Sequence, residues 1–595
     1  MRTLTSQRAG PRALGWVSWL LFAGSILPAL VALRIQKKHW INIPIWDEWD
    51  TPGTALLRFA EGNLTWADLF AQHNESRKAV PRLIHIAIAS IGGWDVRQGM
   101  ALTILCACAV SVIALVYLRR RNAPPARIAV AWLVINLLLF APSQYENFLS
   151  GFVFEIFIPF LCLFACCAIN LSGWPLPRKT AFASLLALIS SYTFAHGLLL
   201  WPFALPLPSR EDRSRGRGFL LLCYTIYALV GIAAIAGYFI GYRRPEIFPP
   251  PAGPRQIGQV FDFILVWLGG VVHSPFVNAR VAGTTAGLVM LATVAGAFVA
   301  LRKNRNRWPA YYPWLLLLAF ALASGAVTAV GRVNIGVESV FNLYFVGFAG
   351  MRYNVTAVFV YVAVVGLLFN LYEDEIRGAP RRRWPFLVAA AASLSLFAFA
   401  WAEMFADESV RVKQFQANRR RARTAAIWSG AIPDNPEIFL AYPYPDRFGK
   451  RVEALRAAAV LNLPKPSRSL QEAIAQAPAA ADSSAGKLTL FEDRGHGYYR
   501  FAGWARNPAG KSAADYVVLG WQEADNSFHP FTAISTGLMR PEVATIYGAS
   551  SLKSGFDQEI EFSKFPAGPV TIKAWAIDWD TQQAFPMDAS VRLPH

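Results

Sequence analysis

The sequence predicts an α-helical polytopic membrane body of about 11 spans followed by a small all-β domain of the sandwich type. Three observations carry that expectation. The 595 residues are 54% hydrophobic and only 16% charged, with mean hydropathy +0.33, whereas soluble proteins average about 25% charged. Lysine and arginine fall in short clusters between long apolar runs, which is the pattern of membrane topology. From Lys487 onward the apolar period shortens to 2, with Gly, Pro, Asn and Asp turns between short runs. The net charge of +19 does not indicate nucleic acid, because the basic residues gather on no single tail. All six cysteines lie inside apolar runs and read as small core residues, not as a disulfide framework or a zinc site.

Taken in order, Arg2, Arg8 and Arg12 precede an apolar run from Ala13 to Ile35. It is long enough to span, lacks a small-residue cleavage pattern, and reads as a retained helix with the N-terminus in the cytoplasm. The next loop, Gln36 to Gln98, is then extracytoplasmic and holds a short apolar segment, Val80 to Gly92, suited to the interface. A span from Gly99 to Leu118 returns to Arg119, Arg120, Arg121 and Arg127. Spans at Ile128 to Phe140 and Gly151 to Leu171 follow. Ala181 to Pro206 is apolar but flanked by basic residues at both ends and interrupted by Tyr192, Thr193, His196 and Gly197. It reads as a hairpin of two short helices, whose tip should floor a cavity. Spans at Phe219 to Tyr242, Val281 to Leu301, Tyr311 to Val330, Asn354 to Leu371 and Pro385 to Phe405 complete the body. A Pro-rich outer loop with a second short helix, Ile257 to Val272, precedes the span at Val281.

Past residue 405 the composition becomes soluble. Residues 406–463 read as a helical extracytoplasmic connector, 464–486 as an Ala, Ser and Pro-rich linker, and 487–595 as the β-sandwich domain.

Chemistry concentrates in a few places. Trp46-Asp47-Glu48-Trp49-Asp50 puts three carboxylates between two indoles at the end of the first span. One acid would cap a helix, so three indicate catalysis, with Asp47, Asp50 and Glu48 as candidates for a general base and Trp46 and Trp49 as substrate contacts. His73, Asn74, Glu75 and Arg77 form a second polar box, in which one helical turn would place His73 and Arg77 on one face and Glu75 would orient an arginine or a hydroxyl. Arg332, Arg352 and Tyr353 bracket an outer segment, and arginine's planar fork suits phosphate. His196, at the helix break, completes the candidate substrate contacts. The motifs require no cofactor; Asp47, Asp50 and His73 offer ligands for a divalent cation, but no spacing fixes its geometry.

An acidic cluster in the first outer loop, short interfacial helices, a broken hairpin span and an appended soluble domain together resemble the GT-C superfamily of polytopic glycosyltransferases, over Ala13 to Phe405. That resemblance implies inverting transfer of a sugar from a polyprenyl-phosphate donor to an extracytoplasmic glycan, lipid or protein acceptor at the cytoplasmic membrane, with Asp47 or Asp50 as base. The tail, with Arg540-Pro541-Glu542 and Ser554-Gly555-Phe556, is similar to small β modules appended to bacterial glycosyltransferases. Two rival classes remain. A transporter or flippase of lipid-linked glycans would place its charges at the midplane and often shows paired repeats, and a non-catalytic envelope scaffold would have no use for the acidic cluster.

Overall fold

The computed structural model of the chain describes residues 15–593 except 247, 273–277, 337–352, 464–469, 478–483, 510, 523–527, 564, 566–569 and 579–582. Arg352 and the outer segment before it lie outside the described residues. The chain divides into two compact units. The first comprises Met1–Trp40, Thr65–His85 and Arg97–Lys413, and the second Ile41–Leu64, Ile86–Val96 and Gln414–His595.

The first unit is helical. Six of its helices are long and apolar enough to cross a bilayer: Trp16–His39, Val96–Arg119, Arg217–Phe239, Ala279–Lys303, Arg305–Ile335 and Asn354–Ile376. A seventh span results if Pro125–Leu139 and Pro142–Phe148, bent by 44° at the break, are counted as one. By length and composition the described residues thus account for six or seven of the eleven expected spans. Phe154–Asn170, expected as a full span, has 17 residues, about 25 Å of helix against a hydrocarbon core of about 30 Å. Pro385 to Phe405 lies within a 49-residue helix, Pro380–Trp428.

The interrupted segment is a helix, Leu176–Ser191, then a break at Tyr192 to Phe194, a 3₁₀ turn Ala195–Leu199 and one short helical turn, Leu200–Phe203. Its tip is packed by protein. Thr193 is fully buried, and Gly197 comes so near that a Cβ there would stand 1.9 Å from the Ser190 carbonyl oxygen. Only glycine permits that approach.

One end of this unit is tied by charge. The chain after helix Asn354–Leu371 winds into a π-helical turn, Tyr372–Ile376, carrying Glu373, Asp374 and Glu375. Arg121 pairs with Asp374, Arg127 with Glu373 at 2.6 Å, and Arg307 and Lys303 with Glu375 at 2.7 and 2.6 Å. Tyr311 donates its hydroxyl to Asp374 at 3.0 Å. Basic residues at the ends of four helices therefore meet one acidic turn.

The second unit holds the β domain. Apart from a two-stranded hairpin in the first unit, β1 (Gln72–His73) with β2 (Ser76–Arg77), all strands among the described residues join one sheet. These are β3 (Gly486–Gly495), β4 (Tyr498–Asn507), β5 (Ser512–Ala513), β6 (Tyr516–Gln522), β7 (Phe528–Ser535), β8 (Gly555–Glu561), β9 (Val570–Asp578) and β10 (Gln583–Leu593). Their order is β5-β4-β3-β10-β9-β6-β7, with β8 beside β4. The described strands form this single eight-stranded sheet, half a barrel in form, and not two facing sheets. One face buries Phe501, Val517, Leu519, Ile534, Phe556 and Ile572. The alternate residues Tyr516, Val518, Ala533, Trp575 and Ile577 pack on Ile427, Trp428 and Leu470, as the two-residue period of a strand requires.

Candidate functional site

In the second unit, Asp47–Asp50 is one helical turn. Its entry is strained: Trp46 has φ 46°, a left-handed conformation that bulky residues avoid, held by its N–H donating to the Ala441 carbonyl at 2.7 Å. Glu48 is buried and its carboxylate accepts from the Ile45 N–H at 2.9 Å, closing the turn. Trp49 is fully buried, its indole set edge-on to Phe448 at 5.0 Å and Trp94 at 6.3 Å. Both were expected in catalysis or substrate contact, and both instead serve the packing of the turn, because their side chains point into the unit.

Asp50 differs. Its Oδ1 accepts from the Tyr442 hydroxyl at 2.9 Å and pairs with Arg451, which also donates to the Trp49 carbonyl at 2.8 Å. Burial first, and then the Asp50 carboxylate, push the Tyr442 phenol up to about 12, so it remains a donor at neutral pH. Asp47 is half-buried on the same turn. Tyr442 and Arg451 had no signal in the sequence beyond their place in an aromatic and basic stretch some 400 residues away, at 392 and 401 residues from Asp50.

In the first unit the polar box is a hairpin, not a helical turn. His73 pairs with Ser76 and Gln72 with Arg77, and Asn74 sits at φ 50°, which its short polar side chain tolerates. Glu75 therefore stands at the hairpin tip. Its carboxylate meets Arg332 at 2.5 Å. Arg332 ends the helix Trp308–Arg332, receives support from the Tyr353 hydroxyl, which accepts from its Nε at 3.1 Å, and lies 3.8 Å from the Phe248 ring centroid. Tyr353 is fixed in turn, its carbonyl accepting from the Trp267 indole at 3.0 Å. Asn334 donates to the Pro250 carbonyl at 2.7 Å, so the Pro-rich loop is tied beside Arg332.

Arg77, expected to touch substrate, caps a helix end. It donates to the carbonyls of Tyr238 at 2.5 Å, Phe70 at 2.7 Å and Ile240. His73 is half-buried, with its Nε2 3.4 Å from the Asn74 amide nitrogen. His196 is enclosed by Phe194, Phe160 and Phe320 at 5.1, 5.6 and 6.0 Å, a packing environment where ligand contact was expected.

Three residues past the hairpin tip, Lys78 meets Glu155 at 2.5 Å with both side chains almost wholly buried. Phe152 and Phe194 lie 5.3 and 5.6 Å from the ammonium. A lone acid in the apolar run Phe152-Val153-Phe154-Glu155-Ile156-Phe157 was the available signal for this pair.

Asp47 and Asp50 belong to one unit and His73 to the other, and among the described residues no three His, Cys, Asp or Glu side chains gather to hold a metal ion. The fold and its polar clusters define a helical membrane protein with an appended β-sheet domain. Compared with protein-family models, with curated proteins and with solved structures, the chain matches none.

Proposed function

We propose that the chain is a membrane glycosyltransferase that moves a sugar from a polyprenyl-phosphate donor to an extracytoplasmic acceptor. The observation that carries this reading is the Glu75, Arg332, Tyr353 and Phe248 cluster at the end of an apolar helix. A lipid-linked phosphate needs a planar cation at the boundary of the hydrocarbon, with aromatic surface beside it. Glu75 holds the guanidinium in place until a phosphate competes for it; the base toward the acceptor hydroxyl is proposed from the sequence alone, as Asp47 or else Asp50. Eleven spans, a cytoplasmic N-terminus, an extracytoplasmic β-sheet tail and residence in the cytoplasmic membrane belong to the same proposal.

The test is transfer by the purified chain in nanodiscs, supplied with a radiolabelled polyprenyl-phosphate sugar and a crude envelope glycan fraction. Labelled product with wild type and its loss with Arg332→Ala supports the reading. Donor consumption independent of the protein, or transbilayer movement of intact donor without transfer, would overturn it, the latter in favour of a flippase. The buried Lys78–Glu155 pair gives that second reading its one specific support, since intramembrane ion pairs mark transport pathways.

A further inference from the structure

Between β7 and β8 the chain leaves the sheet and returns to the same point. The Gly537 and Leu538 N–H groups both donate to the Gly555 carbonyl, at 3.0 and 2.9 Å, and the Gly555 N–H donates back to the Leu538 carbonyl at 3.0 Å. The residues between are thus a closed loop on a hydrogen-bonded neck. It is braced from within. Val543 of the short helix Pro541–Tyr547 is buried, as are Ser551 and Ser554. The Arg540 N–H donates to the Leu552 carbonyl at 2.7 Å, and its Nη2 to the Gly503 carbonyl of β4 at 2.9 Å. Tyr547 turns back to the sheet, 5.5 Å from the Trp504 ring and 4.4 Å from the Arg506 guanidinium.

What this frame leaves outside is aliphatic. Leu538, Met539 and Ile546 are 52%, 65% and 73% exposed. A single exposed aliphatic side chain is ordinary on a protein surface, but three on one braced loop form a patch that a partner would cover. Exposed cations stand around it: Lys553 on the loop itself, Lys511, whose carbonyl accepts from the Ser550 hydroxyl at 2.5 Å, and Arg420, whose Nη1 lies 3.5 Å from where a Gly537 Cβ would stand. Among the described residues none of the three forms an ion pair, whereas the loop's one acid, Glu542, is matched by Arg540 at 3.3 Å. Aliphatic tips ringed by unmatched cations complement an anionic bilayer surface, the tips reaching the boundary of headgroups and chains while ammonium and guanidinium groups meet phosphates. The core of a protein interface favours large aromatic rings instead, and the loop's one ring, Tyr547, is turned inward.

We infer that the loop 538–554 docks the β domain on an anionic lipid surface, with Leu538, Met539 and Ile546 entering the headgroup layer and Arg420, Lys511 and Lys553 at lipid phosphates. A patch this small suffices because the same chain carries the apolar helices, so docking is intramolecular. The inference is independent of the transfer reading.

The test is amide hydrogen exchange, read by mass spectrometry, on the full chain at one copy per nanodisc, in phosphatidylglycerol and in phosphatidylcholine. Residues 538–554 should exchange more slowly in phosphatidylglycerol, and molar salt should remove the difference. Each cation near such a surface is worth about fivefold in the docking equilibrium, so Lys511→Gln and Lys553→Gln should each bring exchange nearer to that in phosphatidylcholine. Met539→Asp combined with Ile546→Asp should abolish the difference. Both side chains are exposed, so Tm should hold; if it falls, the two Gln variants carry the test alone. Equal exchange in the two lipids overturns the inference, and so does a difference that survives salt or that both Gln variants leave intact. Slower exchange only at two copies per nanodisc assigns the loop to contact between chains and overturns it as well.

Discussion

Lys78 and Glu155 form a 2.5 Å ion pair with side chains 6% and 2% exposed, inside a unit otherwise built from apolar helices. Removing one partner of such a pair leaves an uncompensated charge in low dielectric. Glu155→Gln should therefore lower stability by about 3 to 5 kcal/mol, read as a fall in Tm in detergent. Lys78→Met combined with Glu155→Leu should recover much of it. A single variant as stable as wild type would show that the pair does not support the fold.

The acidic turn Glu373 to Glu375 fixes which helix ends share a side. Single cysteines replacing the exposed Asn122, Asn306 and Gly378 should be labelled by a membrane-impermeant maleimide from one and the same face. Labelling of any one of them from the opposite face contradicts the clamp made by Arg121, Arg127 and Arg307.

Arg332→Lys keeps the charge and loses the fork. The pairing with Glu75 survives as a point contact, but the bond that the Tyr353 hydroxyl accepts from Nε does not. Affinity for a polyprenyl-phosphate sugar should fall about 10- to 100-fold, the worth of one charge-assisted hydrogen bond, while the fold survives. Native mass spectrometry of lipid occupancy measures it.

Asp47 and Asp50 should separate. Asp47→Asn removes the proposed base and should lower turnover by about 10² to 10⁴-fold. Asp50→Asn breaks the contacts to Arg451 and Tyr442 and should lower the thermal stability of the second unit. Full transfer by Asp47→Asn with a defined lipid donor would remove the base from this turn.

Two groups of the second unit give its stability a pH dependence of opposite sign. Tyr442 is raised to about 12 by burial and Asp50, against about 10 unfolded, so its contribution is complete below pH 10 and is lost as pH climbs toward 12. Asp557 is lowered chiefly by its hydrogen bonds from Arg500. Its contribution is complete above the ordinary carboxylate range and is lost as pH falls through the lowered value. Tm measured across pH should droop at both ends, with Tyr442→Phe flattening the alkaline limb and Asp557→Asn the acid one.

The sequence made the helical body and the change of period at Lys487 legible because both rest on local patterns, apolar runs and alternation, that tertiary contacts do not override. It also marked Ala79–Gly92 as a short helix apart from the spans. The hairpin at His73 was hidden because the turn residues Asn74 and Glu75 are few and polar boxes fit a helix as readily as a strand pair. The burial of Trp49 and Glu48 was hidden for a different reason: composition places acids and indoles together, but only packing decides which of them point inward. The Asp50 partners and the Lys78–Glu155 pair depend on contacts across long stretches of chain, and no single window of sequence contains them.

The bond between Arg121 and Asp374 joins residues 253 positions apart. At synthesis rates of about 5 to 20 residues per second, the arginine waits about 13 to 50 s for its carboxylate to emerge. During that interval the early helices carry their basic cluster bare, available to the insertion machinery as an orientation signal. Once the acidic turn arrives, Arg121 and Arg127 of that cluster are paired and their helix ends are joined. The pairing that joins these helix ends is thus a late event in synthesis, in an order set by the ribosome.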